Sequence, residues 1–126
     1  MPKSVPTGPG LEVSNLPFSA VVEANGFVFL AGQIGDAPGS NGPVRGGMEA
    51  ETRAMLENVG RILRAVGLDF PDVVKCTVYI TDFDDFQAMN AVYREYFPTE
   101  PPTRATVEVT RLALGAKIEI EVTAAR

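Results

Sequence analysis

The sequence predicts a two-layer α+β domain, a mostly antiparallel sheet with two helices on one face. Segments near both ends alternate apolar and polar residues, the period of a strand with one buried face. Two longer stretches, Met48–Val66 and one ending at about Phe97, repeat apolar residues every third or fourth position, the period of a helix buried along one stripe. Turn-forming residues separate these segments, and no repeat, low-complexity tract or linker divides the chain. Residues 1–126 are therefore read as one domain with the order ββαβαββ.

Met1–Pro17 is rich in Pro, Gly and Ser, has no period, and reads as an extended lead-in that packs late or frays. Phe18–Glu23 alternates and forms a first strand. Asn25-Gly26 follows, a strong hairpin signal because both residues tolerate positive φ. The return strand, Phe27-Val28-Phe29-Leu30-Ala31, is apolar on both faces and so needs cover on both. Helices of this chain supply one cover; another subunit is expected to supply the second. Gly35–Gly47 is a loop rich in Gly that lacks the Gly-x-x-x-x-Gly-Lys-Ser/Thr spacing of a phosphate cradle.

In Met48–Val66, the residues Thr52, Met55, Leu56, Val59, Ile62, Leu63 and Val66 make one stripe, and Gly67 supplies the stop. Asp69-Phe70-Pro71-Asp72 turns the chain into an interior strand, Val73–Thr81. Asp82-Phe83-Asp84-Asp85 invites a calcium reading, but Gln87 and Tyr93 stand where an EF-hand loop needs Gly and Glu. Helix initiation fits better, with Asp84 as cap and Gln87 completing a capping-box-like pair. The second helix turns Phe86, Met89, Tyr93, Tyr96 and Phe97 inward. Pro98, Pro101 and Pro102 end it.

The last segment organises the functional reading. Arg104, Thr106 and Glu108 alternate with Ala105, Val107 and Val109; Lys117, Glu119 and Glu121 alternate with Ile118, Ile120 and Val122. The link Thr110–Ala116 contains Gly115 and is short enough for a hairpin. Such a hairpin sets Arg104 near Glu121 and Thr106 near Glu119, with Arg104 and Glu119 diagonal neighbours on one polar face. A guanidinium and a carboxylate flanking one spot suit a small carboxylic acid and a water. Read from alternation alone, the same pair is a surface ion pair of little worth.

Composition narrows the classes. A formal net charge of −5 with no long basic run argues against general nucleic-acid binding. There is no histidine, which removes Ser-His-Asp and Cys-His catalysis in their usual forms and every His-based metal site. The single cysteine, Cys76, permits no internal disulfide or thiolate zinc site and reads as a buried structural thiol. These features suit a reducing, cytoplasmic setting. The first twenty residues lack a continuous apolar region, so no signal peptide is expected. The longest apolar runs fall far short of the ~20 residues that span a bilayer, so no membrane partner is expected.

The run Pro102-x-Arg104 with Leu112 after seven intervening residues, followed by Lys117-Ile118-Glu119-Ile120-Glu121, resembles the C-terminal signature of the RidA/YjgF family of small imine and enamine deaminases. Ala31-Gly32-Gln33-Ile34 resembles that family's Ser-Gly-Gln-Ile element, and Met89-Asn90-Ala91-Val92-Tyr93 matches a segment carrying a family Asn. Asn90 reads equally as a site residue and as a solvated helix polar. The likeness runs along nearly the whole chain. It departs at Phe18 and Ala31, which stand where the family usually has Tyr and Ser.

The resemblance implies a chorismate-mutase-like fold and a homotrimer with sites in the clefts between subunits. It implies hydrolytic deamination of small enamines or imino acids, such as 2-aminoacrylate, to 2-keto acids and ammonia. Arg104 would bind the carboxylate and Glu119 would orient water, with no metal or organic cofactor. Phe18, Ala31, Gly32, Asn90 and Thr106 would line the substrate, Gly32 and Thr106 through backbone groups. Two alternatives stay open: a non-catalytic or regulatory trimer that binds small carboxylates, and the ribonuclease or translation-inhibitor activity attributed to some relatives. The acidic charge and missing histidine weigh against the latter.

Overall fold

A computed structural model describes residues 2–126. Its elements run β1 (Val21–Ala24), β2 (Phe27–Ile34), α1 (Gly47–Ala65), β3 (Val73–Ile80), α2 (Phe86–Tyr96), β4 (Thr103–Glu108) and β5 (Ile118–Ala125). The strands form one five-stranded sheet in the order β1-β2-β5-β3-β4. The pairs β1–β2, β2–β5 and β5–β3 are antiparallel, and β3–β4 is parallel. Both helices pack on one face, giving the expected two-layer α+β architecture.

Local signals explain most elements. Asn25 and Gly26 both take positive φ, 54° and 80°, in a two-residue turn that pairs Ala24 with Phe27. Met55, Leu56, Val59 and Leu63 of α1 are fully buried against the sheet. The helix closes with Leu68 N–H donating to the Leu63 carbonyl and Gly67 N–H to that of Arg64. The lead-in is tied down rather than frayed. Ser4 exchanges two backbone hydrogen bonds of 2.9 Å with Glu23, and Leu11 is buried. The chain bends at Leu16–Phe18, so β1 starts at Val21 and Phe18 precedes it. The cap before α2 is Asp82, not Asp84: its carboxylate accepts from Asp84 N–H at 2.8 Å and starts a 3-10 turn that runs into the helix.

The expected C-terminal hairpin does not form. Strand β3 lies between β4 and β5, with Cys76 paired to Arg104 on one side and to Val122 on the other. A short link is only one claim on β4. The competing claim is α2, which crosses over between β3 and β4 and delivers β4 parallel to β3. Strand β5 then finds β2 and β3 both unpaired along one edge and fills the gap, burying Ile118, Ile120, Val122 and Ala124.

This topology also turns β4 over. Its register with Cys76 and Val78 sends Arg104 and Thr106 to the helix side, while Ala105 and Val107 look out from the bare side. Alternation had suggested the reverse. The bare face also carries Phe27 and Phe29 of β2, 46% and 44% exposed, and Val107, 42% exposed. The need for cover on both faces of β2 is thus met on one face only.

Gly35, just past β2, touches α1 backbone. A Cβ there would meet the Glu51 carbonyl oxygen at 2.2 Å, and backbone cannot give way as a flexible side chain can. Gly35→Ala is expected to destabilise the fold by about 1–3 kcal/mol, read as a lower urea midpoint with an unchanged m-value. An unchanged midpoint would contradict this close packing.

Candidate functional site

Two groups of candidate residues emerge, on opposite faces of the sheet. The first lies at the β4 edge on the helix side. Arg104 lays its guanidinium over the ring of Tyr93, 4.7 Å from the centroid, and beside that of Phe86 at 5.6 Å. Met89 Sδ sits 3.8 Å from Nη1. Phe86, Asn90 and Tyr93 recur at four and three on α2, so Asn90 shares the helix face that meets Arg104. Thr106 follows Arg104 on the same side of β4. Among the described residues, Arg104 meets no carboxylate. Aromatic faces stabilise a guanidinium but do not neutralise it, so its planar fork stays available to an anion.

Beneath Arg104 lie two further titratable groups. Burial lifts the Cys76 thiol above its ordinary value, against the pull of Arg104. Burial likewise pushes the Tyr93 phenol far up, and its hydroxyl has no hydrogen-bond partner among the described residues. Both therefore stay neutral. Cys76 is the buried structural thiol expected from its strand pattern.

The second group surrounds an irregularity in β2. Register with β5 slips between Leu30 and Gln33, so Ala31 and Gly32 bulge. The Glu119 carboxylate is pressed against this bulge; a Cβ on Gly32 would lie 2.1 Å from Glu119 Oε2. A side chain at position 32 would force the Glu119 carboxylate out of the space it occupies against the bulge. Phe18, Ala31, Gly32 and Glu119 all line one cavity of about 960 Å3. Its far wall is Asn58 of α1, whose amide donates to the Ile34 and Asp36 carbonyls, each at 3.0 Å, and to Asp36 Oδ1.

Glu119 makes no hydrogen bond or salt bridge among the described residues. Burial pushes its carboxyl above the ordinary value, and repulsion from Glu121 adds to this. Glu121 is occupied, accepting from Tyr79 OH at 2.8 Å. Glu119 is thus a carboxylate near a cavity, free to accept a proton and readier to hold one than a solvated glutamate.

Arg104 and Glu119 do not share a face, contrary to the hairpin expectation. Arg104 is level with Cys76 on the helix side, whereas Glu119 is level with Tyr79 on the bare side, three residues along β3. The aromatic bed of Arg104 was missed because Phe86 and Tyr93 fit a buried helix stripe as well as a cation-binding one. The Asn58–Asp36 wall was missed because a polar residue within an apolar stripe carries no signal until its partners are placed. Among the described residues, no group of three or more acidic, Cys or His side chains is placed to hold a metal ion, and no helix is long and apolar enough to cross a membrane.

The family profile described as Endoribonuclease L-PSP matches residues 12–126. The chain is 46% identical to a RutC family protein of Pyrococcus horikoshii, over 83% of each chain. It is 42% identical to the 2-iminobutanoate/2-iminopropanoate deaminase of Homo sapiens, over 86% of this chain and 79% of that one. Among solved structures, a protein of unknown function of the conserved Rid family from Yersinia pestis superposes with a TM-score of 0.91 at 34% identity, covering 99% of this chain and 100% of that one. TdcF of E. coli, solved with bound serine, superposes at 0.84 with 36% identity, covering 92% and 97%.

The position of Glu119 gives a pH-dependent expectation. A carboxyl whose folded pKa lies above its ordinary 4.5 contributes stability at low pH that is lost as pH rises through the folded value. Glu119→Gln removes that loss. The Tm of the variant relative to the parent should therefore rise between about pH 4 and about pH 7. A difference that is flat or falls over that range would contradict the burial of the carboxyl.

Proposed function

The chain belongs to the endoribonuclease L-PSP family, also called RidA/YjgF, and on that premise we propose that it hydrolyses small imines and enamines of 2-amino acids to 2-keto acids and ammonia. The observation that carries this reading is the state of Arg104: a partly buried guanidinium bedded on two aromatic rings and without a carboxylate partner among the described residues. Such a group wants a planar anion, and a 2-imino acid supplies one beside its reactive carbon. A relative named as a 2-iminobutanoate/2-iminopropanoate deaminase and another solved with bound serine favour the same ligand class.

In the proposed reaction, Arg104 binds the carboxylate and Glu119 takes a proton from water as oxygen adds to the C=N carbon. That proton passes to nitrogen to give the carbinolamine; its hydroxyl proton is then relayed to nitrogen through Glu119 as the C–N bond breaks and C=O forms, and ammonia leaves the 2-keto acid. An enamine enters the same route once its β-carbon is protonated. Orientation of substrate and water can supply up to ~7–11 kcal/mol. Each hydroxyl missing at Phe18 and Ala31 removes a neutral hydrogen bond of only ~0.5–1.5 kcal/mol, so turnover survives their loss.

Arg104 and Glu119 lie on opposite faces of one protomer, so one site containing both must be assembled from two copies. The exposed Phe27, Phe29 and Val107 on the bare face favour a second copy as cover. We therefore include in the proposal a homotrimer whose sites lie between protomers, the β4 edge of one facing the β2 bulge of the next. Ribonuclease action is less favoured, given the net charge of −5 and the absence of histidine.

An amino-acid oxidase can generate imino acids in situ, and their loss can be followed with and without protein. The chain should accelerate that loss, and Arg104→Ala should cut the acceleration about ten- to a hundredfold, the worth of a charged hydrogen bond. Full acceleration by Arg104→Ala would overturn the role of Arg104. No acceleration by the parent chain, combined with tight keto-acid binding, would select the non-catalytic carboxylate-binding trimer instead.

A further inference from the structure

The cavity beside Glu119 is much larger than a three-carbon acid needs. Its volume of about 960 Å3 is at the upper end of the ~300–1,000 Å3 usual for ligand pockets. Its walls include Val13, Leu16, Phe18, Ala31, Ile62 and Ala113. Several of the polar groups lining it are engaged within the protein, and the charged ends of Arg61 and Glu12 lie at its exposed rim. Asn58 holds Ile34 and Asp36, Arg61 leans on the Asn58 side-chain oxygen, and Glu12 accepts from Gly10 N–H. Gln33 donates to the Ala31 carbonyl. A ligand entering past Glu119 therefore meets mainly carbon.

From this we infer that the cavity receives the side chain of the substrate and selects imino acids with bulky apolar side chains, of the leucine, methionine or phenylalanine type, over the alanine type. The inference rests on the proposed deaminase reading, with the imine carbon at Glu119. A charged or strongly polar side chain would lose water against those apolar walls. An alkyl or aryl side chain gains by leaving water, and a methyl group gains least. Leu16 and Phe18, 59% and 50% exposed, stand at the wall with apolar surface for such a group to cover.

The test compares imines generated by an amino-acid oxidase from leucine and from alanine. It also measures, by calorimetry, the binding of 4-methyl-2-oxopentanoate and of pyruvate. The leucine-derived imine should show a kcat/KM at least about tenfold higher, and 4-methyl-2-oxopentanoate should bind at least about tenfold tighter than pyruvate. In Leu16→Asn both ratios should fall several-fold, and Leu16→Met should restore them. Equal or reversed ratios in the parent chain, or ratios unmoved in Leu16→Asn, would overturn the inference while leaving the deaminase reading intact. Preferential binding of 4-methyl-2-oxopentanoate with neither imine accelerated would support the apolar cavity and sink the deaminase reading.

Discussion

Strand β5 is paired on both edges, with β2 and with β3, and this double pairing decides where every candidate group ends up. It fixes the side on which Ile118, Ile120 and Val122 enter the core, so Glu119 must face the opposite way. It pushes β4 to the far side of β3, where the parallel register turns Arg104 toward α2. It also brings Glu119 against the bulge at Gly32. One hydrogen-bonding arrangement thus places a cation on one face of the sheet and a carboxylate on the other.

Both groups then share an unusual condition. Arg104 is half-buried without a carboxylate, and Glu119 is partly buried without a hydrogen bond, among the described residues. Taking charge out of water without a partner costs free energy, and a fold tolerates that where a ligand restores the balance. The bare sheet face poses a parallel problem in apolar form, with Phe27, Phe29 and Val107 facing water. In the proposed assembly one event answers all three. A neighbouring copy covers the apolar face, and a small acid with its water bridges the guanidinium of one copy and the carboxylate of the next.

Much of this was legible in the residues because it is local. Asn25-Gly26 announces its own turn, and the α1 stripe announces its own buried face. Arg104 and Glu119 could be picked out through the segments that resemble a known family, and both are singled out by their surroundings. Their relative placement was not legible. Alternation gives a period of two but not which phase faces the helices, and at the edge strand β4 the apolar phase took the bare side. The short link from β4 to β5 suggested adjacency, but the α2 crossover is a non-local constraint that no window around that link contains. Gly32 looked like part of a motif, while its physical reason, a carboxylate in the space of a Cβ, required β5 to be beside it.

The central claim is that one site takes Arg104 from one protomer and Glu119 from another, and mixed assembly tests it most directly. Arg104→Ala and Glu119→Gln protomers, each expected to be impaired at least about tenfold alone, would be unfolded together, refolded and assayed for imine loss. In a cyclic trimer each mixed assembly regains one intact site, so the mixture should recover activity beyond that of either parent variant, roughly a third of the wild-type rate per mixed trimer. A mixture no more active than its components, in trimers shown to contain both variants, would place the two residues in separate sites and contradict the account.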